Sequence, residues 1–134
     1  MHPLYERAQS LTGEIIAAAI EVHRQLGPGL IESIYERCLC HELALRGLRY
    51  ETQRVIRIEY KGLVLEETLR CDVLVEGCVL LENKSAESVL PIHKAILTSY
   101  MKLLDVPLGL LFNFHAVVLK DGISRRILPG ADQP

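Results

Sequence analysis

The stretch that most restricts the fold is Arg70-Cys71-Asp72-Val73-Leu74-Val75-Glu76-Gly77-Cys78-Val79-Leu80-Leu81-Glu82-Asn83-Lys84. Two short apolar runs, Val73–Val75 and Val79–Leu81, flank Glu76-Gly77, a hairpin signal. Asp72 precedes the first run, and Glu82 and Lys84 follow the second. In an antiparallel pair those positions lie at the same end of the sheet. Glu82 and Lys84 are two apart, so in an extended chain their side chains leave by one face. Two carboxylates and an ammonium group therefore meet at one end of an apolar hairpin.

The rest of the chain supplies a core for that hairpin. With 134 residues, 49 % of them hydrophobic and 24 % charged, it suits one domain, spanning residues 1–134 with its core over about 12–128. No apolar run reaches the roughly 18–20 residues of a membrane helix, and the first residues lack a signal-peptide layout, so a soluble, cytoplasmic protein is expected. Cys38, Cys40, Cys71 and Cys78 show no C-x-x-C spacing, and no histidine pair stands at ligand distance. They read as reduced, mostly buried thiols. The net charge of −2 is not that of a dedicated nucleic-acid binder. Basic groups are local, so a nucleic-acid footprint should be small or shared with a second subunit, and a homodimer is a weak expectation.

Helical periodicity begins at about Thr12, read as an N-cap after a loose lead-in, and ends at Gly27-Pro28-Gly29. A second helix runs from about Ile31 to Arg46, with Glu32 one turn before the row Tyr35, Leu39, Leu43. Glu32 has two readings: a first-turn carboxylate that favours the helix dipole, or an inward group joining Asp72 and Glu82. Arg54–Tyr60 alternates like a half-buried strand, and Leu63–Leu69 returns from Lys61-Gly62. A third helix, begun at Pro91, is expected to be heavily buried and to stop before Pro107. Leu108–Phe114 reads as a strand buried on both faces. Ala116–Leu119 and Ile123–Ile127 read as a final hairpin about Lys120-Asp121-Gly122, with Pro129–Pro134 disordered. The order is ααβββαβββ, an α/β domain with a central mixed β-sheet flanked by α-helices.

Asp72, Glu82 and Glu32 offer the oxygen donors that hard cations such as Mg²⁺ or Mn²⁺ take. Lys84 is placed to orient or deprotonate an attacking water or to offset phosphate charge, and burial beside a cation-rich site would lower its pKa. Such an assembly suits phosphodiester hydrolysis. An Asp with a Glu-x-Lys at strand ends is also a common surface ion-pair cluster, and on these residues alone both readings stand. A cysteine-nucleophile enzyme has little support, because His23, His41, His93 and His115 are scattered and no cysteine has an activating context.

Gly29-Leu30-Ile31-Glu32-Ser33-Ile34-Tyr35 reads G-x-x-E-x-x-Y, and here the chain resembles the small prokaryotic GxxExxY proteins. The likeness continues through Tyr60-Lys61-Gly62, Arg70-Cys71-Asp72, Glu82-Asn83-Lys84, Pro91-Ile92-His93, Tyr100-Met101-Lys102, Leu108–Phe114 and Lys120-Asp121-Gly122. That family looks like a compact branch of the PD-(D/E)XK nucleases. The resemblance implies a restriction-endonuclease-like core and a Mg²⁺- or Mn²⁺-dependent nuclease acting on DNA or RNA. It makes Asp72 a metal ligand, Glu82 a ligand, Lys84 catalytic and Glu32 the acidic residue of the first core helix, with the backbone carbonyl of Asn83 a further ligand. Tyr35 and Tyr100 become structural or substrate-side positions. One position departs: relatives carry glutamine one turn before the third-helix tyrosine, where this chain has Ile96. That departure keeps open a non-catalytic nuclease-fold binding or assembly module.

Overall fold

In the computed structural model, which describes residues 1–134, two helices, α1 (Tyr5–Leu26) and α2 (Glu32–Leu45), precede three strands, β1 (Tyr50–Tyr60), β2 (Leu63–Val75) and β3 (Val79–Lys84). Helix α3 (Pro91–Leu104), strand β4 (Leu108–Asn113), a 3-10 turn (Leu119–Gly122) and strand β5 (Ile123–Ile127) complete the chain. The five strands form one sheet in sequence order. β1–β2, β2–β3 and β4–β5 are antiparallel; β3–β4 is parallel, joined by α3 as a crossover.

The sheet has two covered faces. On one, α1 and α2 bury Val73, Val75, Val79, Leu81, Leu108, Leu110 and Phe112 in the larger core cluster. On the other, α3 places Leu97 and Met101 over Leu74, Leu80 and Leu111. Gly109 permits that approach, since a Cβ there would stand 2.7 Å from Met101 Sδ and 3.2 Å from both Leu97 methyls. Both faces of β3 and β4 are therefore apolar, which is why the sequence reads there as unbroken hydrophobic runs.

The hairpin at the centre forms as expected. Glu76 and Gly77 both take positive φ (51° and 67°), and the Cys78 N–H closes the turn onto Val75 O at 3.0 Å. Glu76 is held in that conformation by Arg7 at 2.6 Å and by the Arg49 backbone N–H at 2.7 Å. All four cysteines are free thiols; three are buried and Cys38 is half-buried.

Several expectations are corrected. α1 starts at Tyr5, seven residues before the expected cap; Thr12 lies inside it, buried, its hydroxyl donating to Gln9 O at 2.9 Å. The run Leu63–Leu69 and the run Val73–Val75 are one strand, β2. No strand forms at 116–119. The side chain of Asn113 accepts from the backbone N–H groups of Ala86 and His115 and donates to Ala86 O, which turns the chain out of the sheet directly after β4. The observed order is therefore ααβββαββ. The tail is folded back rather than loose: Ala131 is buried, and its carbonyl accepts the His2 N–H at 2.9 Å. Only Leu97 and Met101 of α3 are fully buried, so this helix is far more exposed than its composition suggests.

Candidate active site

Strands β2 and β3 pair directly from Val75↔Val79 to Val73↔Leu81, and there they part. The β1–β2 register is broken between Glu51/Gln53, opposite the segment between Arg70 and Leu74. This irregularity reverses which face the side chains take: Cys71 packs under α3, whereas Val73, two residues on, packs under α1 and α2; before the break Arg70 pairs with Glu36 of α2 at 3.1 Å. Asp72 lies in the irregular segment. Its Oδ2 accepts the Asn83 N–H at 2.6 Å, a bond that holds the two strands together where the backbone ladder has ended.

Glu82 and Lys84 extend from the end of β3 on the α3 face, as the alternation with Leu80 requires. Lys84 Nζ lies 3.2 Å from Glu82 Oε1. Glu32, at the first position of α2, reaches the same strand end from the opposite face: its Oε1 accepts the Ser85 N–H at 3.3 Å. Asn83 points to the α1–α2 side, and its buried amide has no hydrogen-bond partner.

The electrostatics show an excess of negative charge. Burial pushes the Glu82 carboxyl up to about 7; the Asp72 charge adds to the shift and Lys84 offsets part of it. Asp72 is also raised, first by burial, against the Asn83 N–H bond and Lys84. Burial works against charge on Lys84 as well, but Glu82, Glu32 and Asp72 outweigh it and hold the lysine above its ordinary value. That is the reverse of the expected lowering, because the lysine faces carboxylates.

The donor chemistry fits a hard divalent cation: the acidic groups are all carboxylates, and two of them have their ionised form disfavoured, first by burial. No group of three His, Cys, Asp or Glu side chains is placed to hold a metal ion as the side chains stand. Glu82 faces Lys84, Asp72 faces Asn83 and Glu32 faces Ser85, each through one carboxylate oxygen. The site lies outside the cavities. The largest, about 980 Å³, surrounds α2 and is lined by Glu36, Arg37, Cys40, His41 and Arg70 among others.

A family model described as the PD-(D/E)XK nuclease superfamily matches residues 9–126. The chain belongs to the PD-(D/E)XK nuclease superfamily. Among solved structures, the crystal structure of SSO0001 aligns with a TM-score of 0.53 at 20 % identity, covering 91 % of this chain and 61 % of that one. This likeness is one of fold, and the chain spans less than two thirds of the length of SSO0001. A search of curated proteins found no match. The observed α-β-β-β-α-β succession from α2 to β4 is a PD-(D/E)XK core, with Asp72 on its second strand and Glu82-x-Lys84 on its third.

The two tyrosines differ. Tyr35 is wholly buried, donates to Gly27 O at 2.6 Å, accepts the Leu30 N–H at 3.0 Å and stacks on Phe114 at 4.3 Å. It ties α2 to the preceding turn. Tyr100 is half-buried beside the α3 core, and Ile96 is 39 % exposed. Sequence reasoning overlooked Asn113, whose clamp on Ala86 shapes the connection after Lys84. An Asn ending an apolar run was the available signal.

Proposed function

We propose that this PD-(D/E)XK domain, of the GxxExxY branch, is a metal-dependent phosphodiesterase that cleaves DNA or RNA. The observation that carries the reading is the meeting of Asp72, Glu82 and Lys84 where β2 and β3 part, with Glu32 behind them. Asp72 and Glu82 would hold Mg²⁺ or Mn²⁺, with Glu32 and the carbonyl of Asn83 as further donors. The cation supplies Lewis-acid polarisation of the phosphate and eases deprotonation of water. Asp72 is pre-positioned by its bond to Asn83. Lys84, beside Glu82, would orient the attacking water or meet phosphate charge.

The test is cleavage of single- and double-stranded DNA and RNA with Mg²⁺, Mn²⁺ or chelator, beside Asp72→Asn, Glu82→Gln and Lys84→Gln. Metal-dependent cleavage reduced at least about 100-fold in each variant is expected; cleavage indifferent to all three would sink the assignment. Ile96 favours a second reading, a binding module that holds nucleic acid without cutting it. Metal-dependent binding with no product on any substrate would select it.

A further inference from the structure

Beyond the pairs Gln53↔Arg70, β1 and β2 continue as a two-stranded ribbon to Tyr60↔Leu63, with no third strand beside them. Eight residues a side make it roughly 25 Å long. Its two faces differ. Gln53, Val55, Arg57 and Glu59 with Val64, Glu66, Thr68 and Arg70 make one, which is mostly polar. The other carries Ile56, Ile58, Tyr60, Leu63, Leu65 and Leu69, broken only by Arg54 and Glu67. Arg54 on this second face pairs with Glu51, across the register break from Arg70 and α2, so the apolar face lies on the α3 side of the sheet. Of its apolar residues only Ile56 is buried.

Helix α3 has a matching surface. Ile92, Ile96 and Leu103 form one stripe at helical spacing, and all are exposed. Lys94, on the opposite flank, lines a cavity with Asn113, Gly122 and Ser124 beside β4 and β5. Leu97 and Met101 face the sheet, and at helical spacing the apolar stripe lies well around from them, on the outer side of the helix. The ribbon is thus the floor, and the outer side of the helix the raised step, of one open apolar corner on the α3 side of the sheet.

We propose that this corner is a homodimer interface, the apolar ribbon face of each copy lying on the α3 stripe of the other. Tyr60, Leu63, Leu65, Ile92, Ile96 and Leu103 each leave on the order of 100 Å² uncovered, about 600 Å² per chain, against the roughly 800 Å² per partner, polar rim included, of a standard interface. A two-stranded ribbon is marginal in water unless its apolar face is covered. Ribbon-on-helix exchange is self-complementary under a two-fold axis, since each copy offers both halves. Nucleic acid is a poor occupant for the corner: one Arg and one Glu cancel on its floor, whereas phosphates need cations. Ile96 then has a use as interface surface. The inference stands whether or not the chain cleaves phosphodiesters.

The test is sedimentation velocity of the full chain across concentration, with Leu63→Glu on the ribbon, Ile92→Glu on α3, and Val55→Glu on the polar ribbon face as control. All three sites are exposed, and unchanged far-ultraviolet circular dichroism and melting of isolated monomers verify folding. Expected are a wild-type dimer at micromolar concentration, a dimer for Val55→Glu, and at least a tenfold weaker dimer for each of the other two. Mixing Leu63→Glu with Ile92→Glu should yield a heterodimer tighter than either homodimer, because one ribbon–helix contact remains intact. A monomer at all concentrations would overturn the proposal, as would a dimer unaffected by both substitutions. Monomeric protein whose oligonucleotide affinity falls with Ile92→Glu would assign the corner to nucleic acid instead.

Discussion

The Asp72 carboxylate accepts the Asn83 backbone N–H at 2.6 Å, at the point where direct β2–β3 pairing ends. One oxygen of the proposed metal ligand is thus also a structural acceptor. Asp72→Ala should lose cleavage and also leave that N–H without its partner, costing about 1–3 kcal/mol, whereas Asp72→Asn keeps an acceptor and should lose cleavage with a smaller loss of stability. Denaturant melts of the two variants, set beside their cleavage rates, check this. Equal destabilisation would mean that the bond contributes little.

The raised Glu82 carboxyl has a pH consequence. Its pKa rises on folding from an ordinary 4.5 to about 7, so between those values the folded protein binds the extra proton and stability falls as pH rises. Asp72 is shifted in the same direction. Without divalent metal, the melting temperature should fall by a few degrees from pH 5 to pH 8, and the slope should flatten in Glu82→Gln. A melting temperature that rises over this range, with no difference in Glu82→Gln, would contradict the electrostatics.

Adding Mg²⁺ or Mn²⁺ should raise the melting temperature more at pH 8 than at pH 5, because Glu82, pushed up to about 7, is ionised there and Lys84 offsets only part of the acidic charge. The increase should be absent in Asp72→Asn. Calorimetric scans with and without metal measure it directly.

Tyr35 of the G-x-x-E-x-x-Y motif is buried, with its hydroxyl engaged at both Gly27 and Leu30. Tyr35→Phe should cost about 1–3 kcal/mol and leave the cleavage rate of the folded protein within about twofold. A large loss of rate without loss of stability would place Tyr35 in substrate contact.

Much of this site was legible in the sequence because it is local. Asp72, Glu82 and Lys84 are joined by a single turn, and strand alternation alone puts Glu82 and Lys84 on one side. Glu32 was ambiguous because one turn of a helix carries no information about which strand end it meets. The start of α1 was missed because its early stripe is weakly apolar: Ala8 and Thr12 are buried, and a threonine donating to Gln9 looks in sequence like a cap. Ala116-Val117-Val118 has strand composition, but the Asn113 clamp turns the chain first, leaving Val117 exposed. For α3, composition marked an apolar helix and could not divide the face that packs on Gly109 from the stripe that stays open.

The turn at Glu76-Gly77 also sets an order of assembly. Asp72 and Glu82 approach by closing a short loop, whereas β3 finds β4 only after twenty-odd residues of α3 and its connections have been spanned. Closing the shorter loop costs less chain entropy, so the acidic pair can come into register before the parallel pairing is made. The late-forming half of the sheet then acts on a hairpin whose chemistry is already spelled out, fixing its surroundings rather than its members.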